Sequence, residues 1–328
     1  MALRILLLGR MAAWCEPELR RRLRGEYDLY AIPDARTLDR NLPLIETAHV
    51  IVGWPLTAAA ARRAHNLKLL QVSGAGIDGL ALDELPRGVQ VCNTFHHEIA
   101  IAEYVIMAML YLARQPHRYD AGLRRGNWTG SCIWGETPVL RELHDQTVLL
   151  AGVGHIAHEV ARRACAFGMR LVGVSRNPDK VDGRNLFSTL VTWDLWEQQI
   201  PSADWVVPCC PLTPQTVGLF NARTFDLMKP SAYLINITRG PVVDEQAVYD
   251  ALLERRIAGA ALDVWYQYPS DPDETCLPSR LPFHKLDNVL MSPHNSAWTN
   301  RTILGRVEDI AENINRLAAG KPLQNVVR

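Results

Sequence analysis

Residues 146–176 read QTVLLAGVGHIAHEVARRACAFGMRLVGVSR, and the fold turns on this stretch. Thr147 to Ala151 has the length and composition of a buried parallel strand. Gly152-Val153-Gly154-His155-Ile156-Ala157 then matches G-x-G-x-x-G/A. Ile156, Val160, Ala164 and Phe167 fall on one face of a helix, and Gly168 stands where a C-terminal cap belongs. Leu171 to Val174 reads as the next strand. Such a unit makes a pocket for a pyrophosphate, because backbone N–H groups and the helix dipole converge at the turn. The glycine pattern alone serves an ordinary tight turn as readily as a ligand. Inside a correctly punctuated βαβ unit it points to a dinucleotide.

The 328 residues suffice for two domains of ordinary size, each with its own core. Lysine plus arginine equals aspartate plus glutamate, 35 each, so no global field favours nucleic acid or an anionic membrane. Seven cysteines at irregular positions show neither a CxxC nor a zinc spacing. They read as reduced thiols of a cytoplasmic protein. The adjacent His96 and His97 lack further spaced ligands, so no metal site is expected. The apolar run in MALRILLLGR is too short for a signal peptide and reads as a first strand. The longest apolar segment, Ile99 to Ala113, is interrupted by Glu103, so no membrane span is expected.

Upstream of the glycine turn, strands are expected at 3–9, 27–32, 49–53, 67–73 and 89–92, with helices between them. Pro17 opens one helix and Thr57 caps another. Ser73-Gly74-Ala75-Gly76-Ile77-Asp78 follows a strand directly. It is either a plain glycine turn or a seat where backbone N–H groups meet an anion such as a carboxylate. Ile99 to Arg114 is a helix apolar almost all round, which implies burial between layers or subunits. Gly122 to Asp145 reads mainly as loop. Downstream, strands at 204–207, 232–237, 258–264 and 289–291 alternate with helices capped by Asn221 and Asp244. A final amphipathic helix spans about Thr302 to Leu317. Strands alternating with helices throughout mean parallel, doubly wound α/β sheets.

Two polar clusters lie at strand ends, where open α/β sheets bind ligands. Thr238-Arg239-Gly240 follows one strand, and an arginine there suits a bidentate pair with a carboxylate. His294 follows another strand after Pro293, where imidazole suits proton exchange with a hydroxyl or carbonyl oxygen. Singly, either is equally a surface arginine or a histidine bonded to a carbonyl.

Together with the glycine turn they resemble the D-isomer-specific 2-hydroxyacid dehydrogenases, the group of phosphoglycerate dehydrogenase, glyoxylate/hydroxypyruvate reductase and formate dehydrogenase. The matching pieces run in order from residue 74 to residue 294: Gly74-Ala75-Gly76-Ile77-Asp78, Ile101-Ala102-Glu103, the 152–157 turn, Pro211-Leu212-Thr213-Pro214-Gln215-Thr216, Asn236-Ile237-Thr238-Arg239-Gly240, Ala261-Leu262-Asp263-Val264 and Ser292-Pro293-His294. The resemblance implies a Rossmann cofactor domain over 101–298 and a flavodoxin-like substrate-binding domain made from 1–100 and 299–328. It implies a homodimer through the cofactor domain, which suits the apolar helix at 99–114. It also implies that Arg239 anchors the substrate carboxylate and polarises its carbonyl, and that His294 is the acid/base. The implied cofactor set is Gly152, Gly154, His155, Ile156, Ser175, Arg176, Pro211, Thr216, Ile237, Thr238, Arg239, Asp263, His294 and Ala297, with Asp263 near the nicotinamide carboxamide. The implied substrate set is Trp54, Gly74, Ala75, Gly76, His97, Arg239 and Trp298.

The chain departs from the family pattern twice. The glutamate that usually partners the histidine is absent; Asp263-Val264-Trp265-Tyr266-Gln267-Tyr268-Pro269 puts Tyr268 there. A carboxylate keeps an imidazolium charged, and without one His294 is expected nearer the unperturbed value of about 6.5. Tyr268 either orients His294 through its hydroxyl or lines a pocket, and Glu98 or Glu136 are alternative carboxylates. The second departure is Ser175-Arg176-Asn177 at the end of the second fingerprint strand, in place of the acidic residue that suits NAD. No carboxylate there repels a 2′-phosphate and Arg176 attracts one, so NADP(H) is expected over NAD(H).

Trp54, Trp265, Tyr266, Tyr268 and Trp298 divide between core and cleft, and two in the cleft would suit a larger or apolar 2-oxo acid. The sequence thus predicts an NADP(H)-dependent oxidoreductase acting on a small 2-oxo or D-2-hydroxy acid. Two other readings stay open: a nucleotide-sensing binding protein on the same fold, and a formate-dehydrogenase-like oxidation that needs no acid/base.

Overall fold

The computed structural model describes residues 2–134, 139–271 and 273–328. Glu136, one of the carboxylates considered above, lies outside the described residues. The chain divides into two compact units, Met1–His96 with Trp298–Arg328, and His97–Ala297.

The first unit contains β1 (Leu3–Leu8), α1 (Arg10–Trp14), α2 (Glu16–Arg22), β2 (Tyr27–Ile32), α3 (Leu42–Thr47), β3 (Val50–Gly53), α4 (Ala58–Arg63), β4 (Leu69–Gln71) and β5 (Gln90–Cys92). The second contains α5 (Glu98–Arg114), α6 (Pro116–Leu123), β6 (Thr147–Ala151), α7 (His155–Ala166), β7 (Arg170–Val174), β8 (Thr189–Val191) and β9 (Trp205–Pro208). It continues with α8 (Ala222–Leu227), β10 (Tyr233–Asn236), α9 (Glu245–Leu253), β11 (Gly259–Leu262) and β12 (Val289–Met291). The last helix, α10 (Asn300–Ala318), returns to the first unit.

Both sheets are parallel throughout. The first has strand order β2-β1-β3-β4-β5, the flavodoxin-like arrangement, and the second β12-β11-β10-β9-β6-β7-β8. Side chains alternate across each sheet, so each has two apolar faces to bury. In the second unit Leu149, Val172, Val206, Leu234 and Ala260 face one core with α8 and α9. Val148, Leu150, Leu171, Trp205 and Ile235 face another with α5 and α7. In the first unit Leu6, Ile51 and Leu70 face α3 and α4, while Ile5, Val50 and Leu69 face α10.

Local rules account for the element ends. Thr57, Asn221 and Asp244 cap their helices through side-chain oxygens, Asn221 in a reciprocal box with Thr224. Gly168, at φ 70°, ends α7, and its N–H donates to the Cys165 carbonyl at 2.9 Å. Some elements escape the sequence reading. Strand β8 is short and on the sheet edge, α1 and α3 are barely more than a turn, and α6 opens with Pro116 inside an otherwise polar stretch. Helix α5 buries all but a narrow stripe: Glu103, Met107, Leu110 and Arg114 are exposed.

Candidate active site

Register brings the chemistry to one edge. Ala151 pairs with Val174 on one side and Pro208 on the other, and Asn236, Leu262 and Met291 continue the same row. The residues that follow each strand therefore emerge together at the carboxyl edge of the second sheet. The order reverses at β6, which pairs with both β7 and β9, and that switch point is where such sheets open a crevice.

The glycine turn fills that position. Gly152 adopts φ 112°, and a Cβ there would meet the Cys209 carbonyl and the Cys210 nitrogen at 3.0 Å. Only glycine combines that backbone with that approach. Around Gly154, in contrast, a Cβ would meet nothing within 4 Å. The space beyond it lies over the N-terminus of α7, whose first N–H groups have no side-chain cap. Pyrophosphate fits this cradle on geometry and on the helix dipole. Ala157, in the third fingerprint position, is fully buried and allows close packing of α7 on the sheet.

At the end of β7 the Ser175 hydroxyl accepts the Asn177 N–H at 3.2 Å, which turns the chain outward. Arg176 is exposed and pairs with no carboxylate among the described residues. Thr216 acts on its own loop: its hydroxyl accepts the Thr213 N–H at 2.7 Å and donates to the Pro211 carbonyl at 2.7 Å. Ile156, Ile237 and Ala297 pack against the apolar core beneath this edge.

Arg239 is presented by a turn that Asn236 builds. The Asn236 side chain accepts the Thr238 N–H at 3.2 Å and hydroxyl at 2.9 Å, and donates to the Arg239 carbonyl at 3.1 Å. Gly240 then lies so close to the Trp265 carbonyl that any Cβ would collide with it. The Arg239 guanidinium, half-buried, donates to the Thr238 carbonyl at 2.8 Å.

His294 stands on a firmly held loop. Asp263, fully buried, accepts the Ser292 hydroxyl at 2.7 Å, the Asn295 N–H at 3.0 Å and the Ser296 N–H at 3.1 Å. A carboxylate only accepts, so Ser292 donates its one hydrogen to Asp263. The Tyr104 hydroxyl, 2.6 Å from Ser292 Oγ, is therefore the donor there. Burial pushes the Tyr104 phenol up to about 12, so it keeps that hydrogen. Trp265 Nε1 donates to the Ser292 carbonyl at 2.8 Å. These bonds hold His294 at φ 56°, a left-handed backbone that non-glycine residues seldom adopt. Asp263, the residue implied to lie by the nicotinamide, thus has its oxygens engaged in anchoring the histidine loop.

Tyr268 lies against the His294 ring. Its oxygen accepts the Trp265 N–H at 3.1 Å and lies 3.1 Å from His294 Nδ1. Burial raises its pKa above the ordinary phenol value, against lowering by the Trp265 N–H and Arg239. The histidine's neighbour is a neutral hydroxyl that can donate or accept, where a carboxylate could only accept.

In the first unit, the loops after β1, β3 and β4 leave from one edge of their own sheet. A Cβ on Gly74 would lie 3.8 Å from the Trp54 ring, and Asn93 donates to the Ala75 carbonyl at 2.9 Å. Thr94 N–H donates to the Gly74 carbonyl at 3.1 Å. Both bonds engage carbonyls of the Gly74-Ala75-Gly76 loop. Trp298 is half exposed and packs against Trp14, their centroids 5.7 Å apart. Trp265, by contrast, is core, and Tyr266 is held by the Val243 carbonyl. His97 is buried at the N-terminus of α5.

Sequence reasoning missed Tyr104, Asn93 and Trp14, and quoted Asn236 and Ser292 within motifs without giving them a role. Tyr104 sits within a helix that reads as uniformly apolar, and only its hydroxyl distinguishes it. Among the described residues no group of three or more His, Cys, Asp or Glu could hold a metal ion, and no helix is long and apolar enough to cross a membrane.

Residues 106–296 match the family model described as D-isomer specific 2-hydroxyacid dehydrogenase, NAD binding domain. The D-3-phosphoglycerate dehydrogenase of Archaeoglobus fulgidus is 32% identical over 292 residues, covering 88% of this chain and 53% of that protein. The glyoxylate reductase of Korarchaeum cryptofilum is 31% identical over 277 residues, covering 83% of this chain and 80% of its own length. A solved structure, a D-isomer specific 2-hydroxyacid dehydrogenase family protein from Aeromonas salmonicida, superposes with a TM-score of 0.83 at 26% identity, covering 100% of this chain and 99% of that one. The chain spans about half the length of the phosphoglycerate dehydrogenases it matches.

Proposed function

The chain belongs to the D-isomer specific 2-hydroxyacid dehydrogenase family, and from that premise we propose that it interconverts a 2-oxo acid and its D-2-hydroxy acid, using NADP(H) in preference to NAD(H). The nicotinamide supplies or takes the hydride; the protein's part is to bind, orient and move one proton. Arg239, on its Asn236-built turn, pairs with the substrate carboxylate and steadies charge that develops on the carbonyl oxygen. With Nδ1 engaged by Tyr268, Nε2 of His294 is the nitrogen that exchanges the proton. The observation that carries this reading is the mounting of His294: a strained backbone held by Asp263, Ser292 and Tyr104 beside an arginine turn. A loop that only closed a turn would need no such support.

Trp54, Gly74, Ala75, Gly76, His97 and Trp298 are assigned to the substrate, and the exposed aromatic surface of Trp54 and Trp298 favours a larger or apolar acid over glyoxylate. Gly152, Gly154 and His155 are assigned to the pyrophosphate. Ser175 and Arg176 are assigned to the 2′-phosphate, since Arg176 is exposed and without a carboxylate partner among the described residues.

Turnover of a panel of 2-oxo acids with NADPH and with NADH tests the reading. We expect a higher kcat/KM with NADPH, and a loss of about 10²-fold or more in kcat/KM for Arg239→Ala. Activity that survives Arg239→Ala removes the proposed site; a kcat/KM with NADH equal to or above that with NADPH removes the cofactor preference. A homodimer through the second unit is part of the same proposal, because Met107 and Leu110 expose apolar surface on α5. Met107→Glu with Leu110→Glu is expected to yield monomers in sedimentation; an unchanged wild-type dimer would place the interface elsewhere.

A further inference from the structure

We propose that the first unit carries an aromatic seat in which Trp14 sets specificity, and that the preferred substrate is a 2-oxo acid whose side chain ends in an aryl ring. The inference rests on the preceding reading of Trp54 and Trp298 as substrate residues.

Three tryptophans reach one edge of the first sheet. Register places Leu8 beside Gly53 and Val52 beside Gln71, so the segments after β1, β3 and β4 leave side by side. Trp54 follows β3 directly, and its ring approaches Gly74, where a Cβ would stand 3.8 Å from it. Helix α1 follows β1 and packs against the same place. A Cβ on Gly9 would stand 2.7 Å from the Trp54 carbonyl, and one on Gly53 would stand 3.0 Å from the Ala12 Cβ. Trp14 is the last residue of that helix, and its ring meets Trp298 with centroids 5.7 Å apart and planes tilted by 38°. Trp298 stands just before α10, whose start is fastened by the buried Thr302 hydroxyl donating to the His96 carbonyl at 3.0 Å.

Core packing does not account for these rings. Trp14 is 63% exposed, Trp298 53% and Trp54 45%, whereas Trp196, Trp205 and Trp265 are buried. Size decides what covers the pair. A fully covered aromatic side chain buries about 150–250 Å², so two half-exposed indoles offer on the order of 200 Å². A stable protein partner covers about 800 Å² on each side. The pair is too small for a protein and large enough for one ring, and it lies at the edge where a parallel sheet receives small ligands. An alkyl group would gain only burial there. An aryl group adds offset or edge-to-face contact, and the tilt between the indoles presents two non-parallel faces for it. That contribution corresponds to about 2- to 10-fold in kcat/KM. Trp14 takes no part in proton or hydride transfer, so its effect falls on the choice among acids.

The test measures kcat/KM for phenylpyruvate, 4-methyl-2-oxopentanoate and pyruvate with the better of NADPH and NADH. It compares the wild type with Trp14→Ala, Trp14→Leu and Trp14→Phe, with folding checked by circular dichroism melts. We expect phenylpyruvate to lead 4-methyl-2-oxopentanoate, and both to lead pyruvate. Trp14→Ala is expected to lower the phenylpyruvate-to-pyruvate ratio by about 2- to 10-fold. Trp14→Phe should keep most of that ratio, and Trp14→Leu should lose it as alanine does. If the alanine variant does not fold, the comparison of phenylalanine with leucine decides alone. An equal loss with pyruvate and phenylpyruvate is a structural effect and overturns the proposal. Phenylpyruvate no better than 4-methyl-2-oxopentanoate, or Trp14→Leu as selective as Trp14→Phe, overturns it too and leaves the 2-oxo acid reading intact. No oxidation of NADPH or NADH with any acid overturns that underlying reading, and this proposal with it.

Discussion

A hydroxyl and a carboxylate differ at position 268 in charge and in hydrogen-bond sense, and both differences reach His294. The distance of 3.1 Å from the phenol oxygen to Nδ1 fixes the ring as a carboxylate would. Tyr268 brings no negative charge that would favour the imidazolium, as a carboxylate at that position would. Reduction of a 2-oxo acid needs that proton, so kcat/KM with saturating NADPH is expected to fall as pH rises through about 6 to 7. Tyr268 stays neutral over this range, because burial raises its pKa from the ordinary phenol value, so the limb reports the imidazole alone. A profile flat to pH 8 would contradict this. Position 268 was identifiable from sequence by counting from Arg239; the contact was not, because 26 residues separate Tyr268 from His294.

At the scale of elements, the strand–turn–helix at 147–166 is decided locally. Five consecutive buried residues make the strand, and the glycine turn is forced by the crowding of Cys209 and Cys210. Gly152→Ala would combine a left-side φ with a backbone contact of 3.0 Å. We expect it to destabilise the second unit by about 1–3 kcal/mol, the usual cost of strain at such a position, and to weaken dinucleotide binding as the turn shifts. Unchanged thermal stability together with unchanged NADPH affinity would show that the turn relaxes freely. The mount of His294 was illegible for the opposite reason. Its hydrogen bonds join Tyr104 to Ser292 across 188 residues and Ser292 to Asp263 across 29. No periodicity or spacing records which polar side chains will meet when three strands and a helix are brought side by side.

For the molecule as a whole, the first unit is completed by the end of the chain. Gln71 and Asn313, both fully buried and 242 residues apart, meet at 2.8 Å. Asn313 also accepts the Gln324 N–H at 2.8 Å and donates to its carbonyl at 3.0 Å. The Val91 N–H donates to the Arg328 carbonyl at 2.8 Å, so the C-terminal residues lie along β5. Asn313→Ala would leave the side-chain carbonyl of the buried Gln71 without its partner. About 1–3 kcal/mol of stability is expected to go with that unsatisfied carbonyl, read as a lower urea midpoint for the first unit. A midpoint equal to the wild type would mean that water replaces the amide.

The sequence by itself determined the class of fold, the glycine turn and the place of Arg239 and His294 at strand ends. Each is written in a short stretch, as hydrophobic period, turn chemistry or a motif whose residues are neighbours. Only the tertiary structure decided that Tyr268 meets His294, that Asp263 holds the histidine loop with Tyr104 behind it, and that Asn313 closes the first unit on Gln71. Those are hydrogen bonds between groups far apart in the chain. Their existence depends on strand order and register, which parallel crossover connections set at long range and which no local pattern encodes.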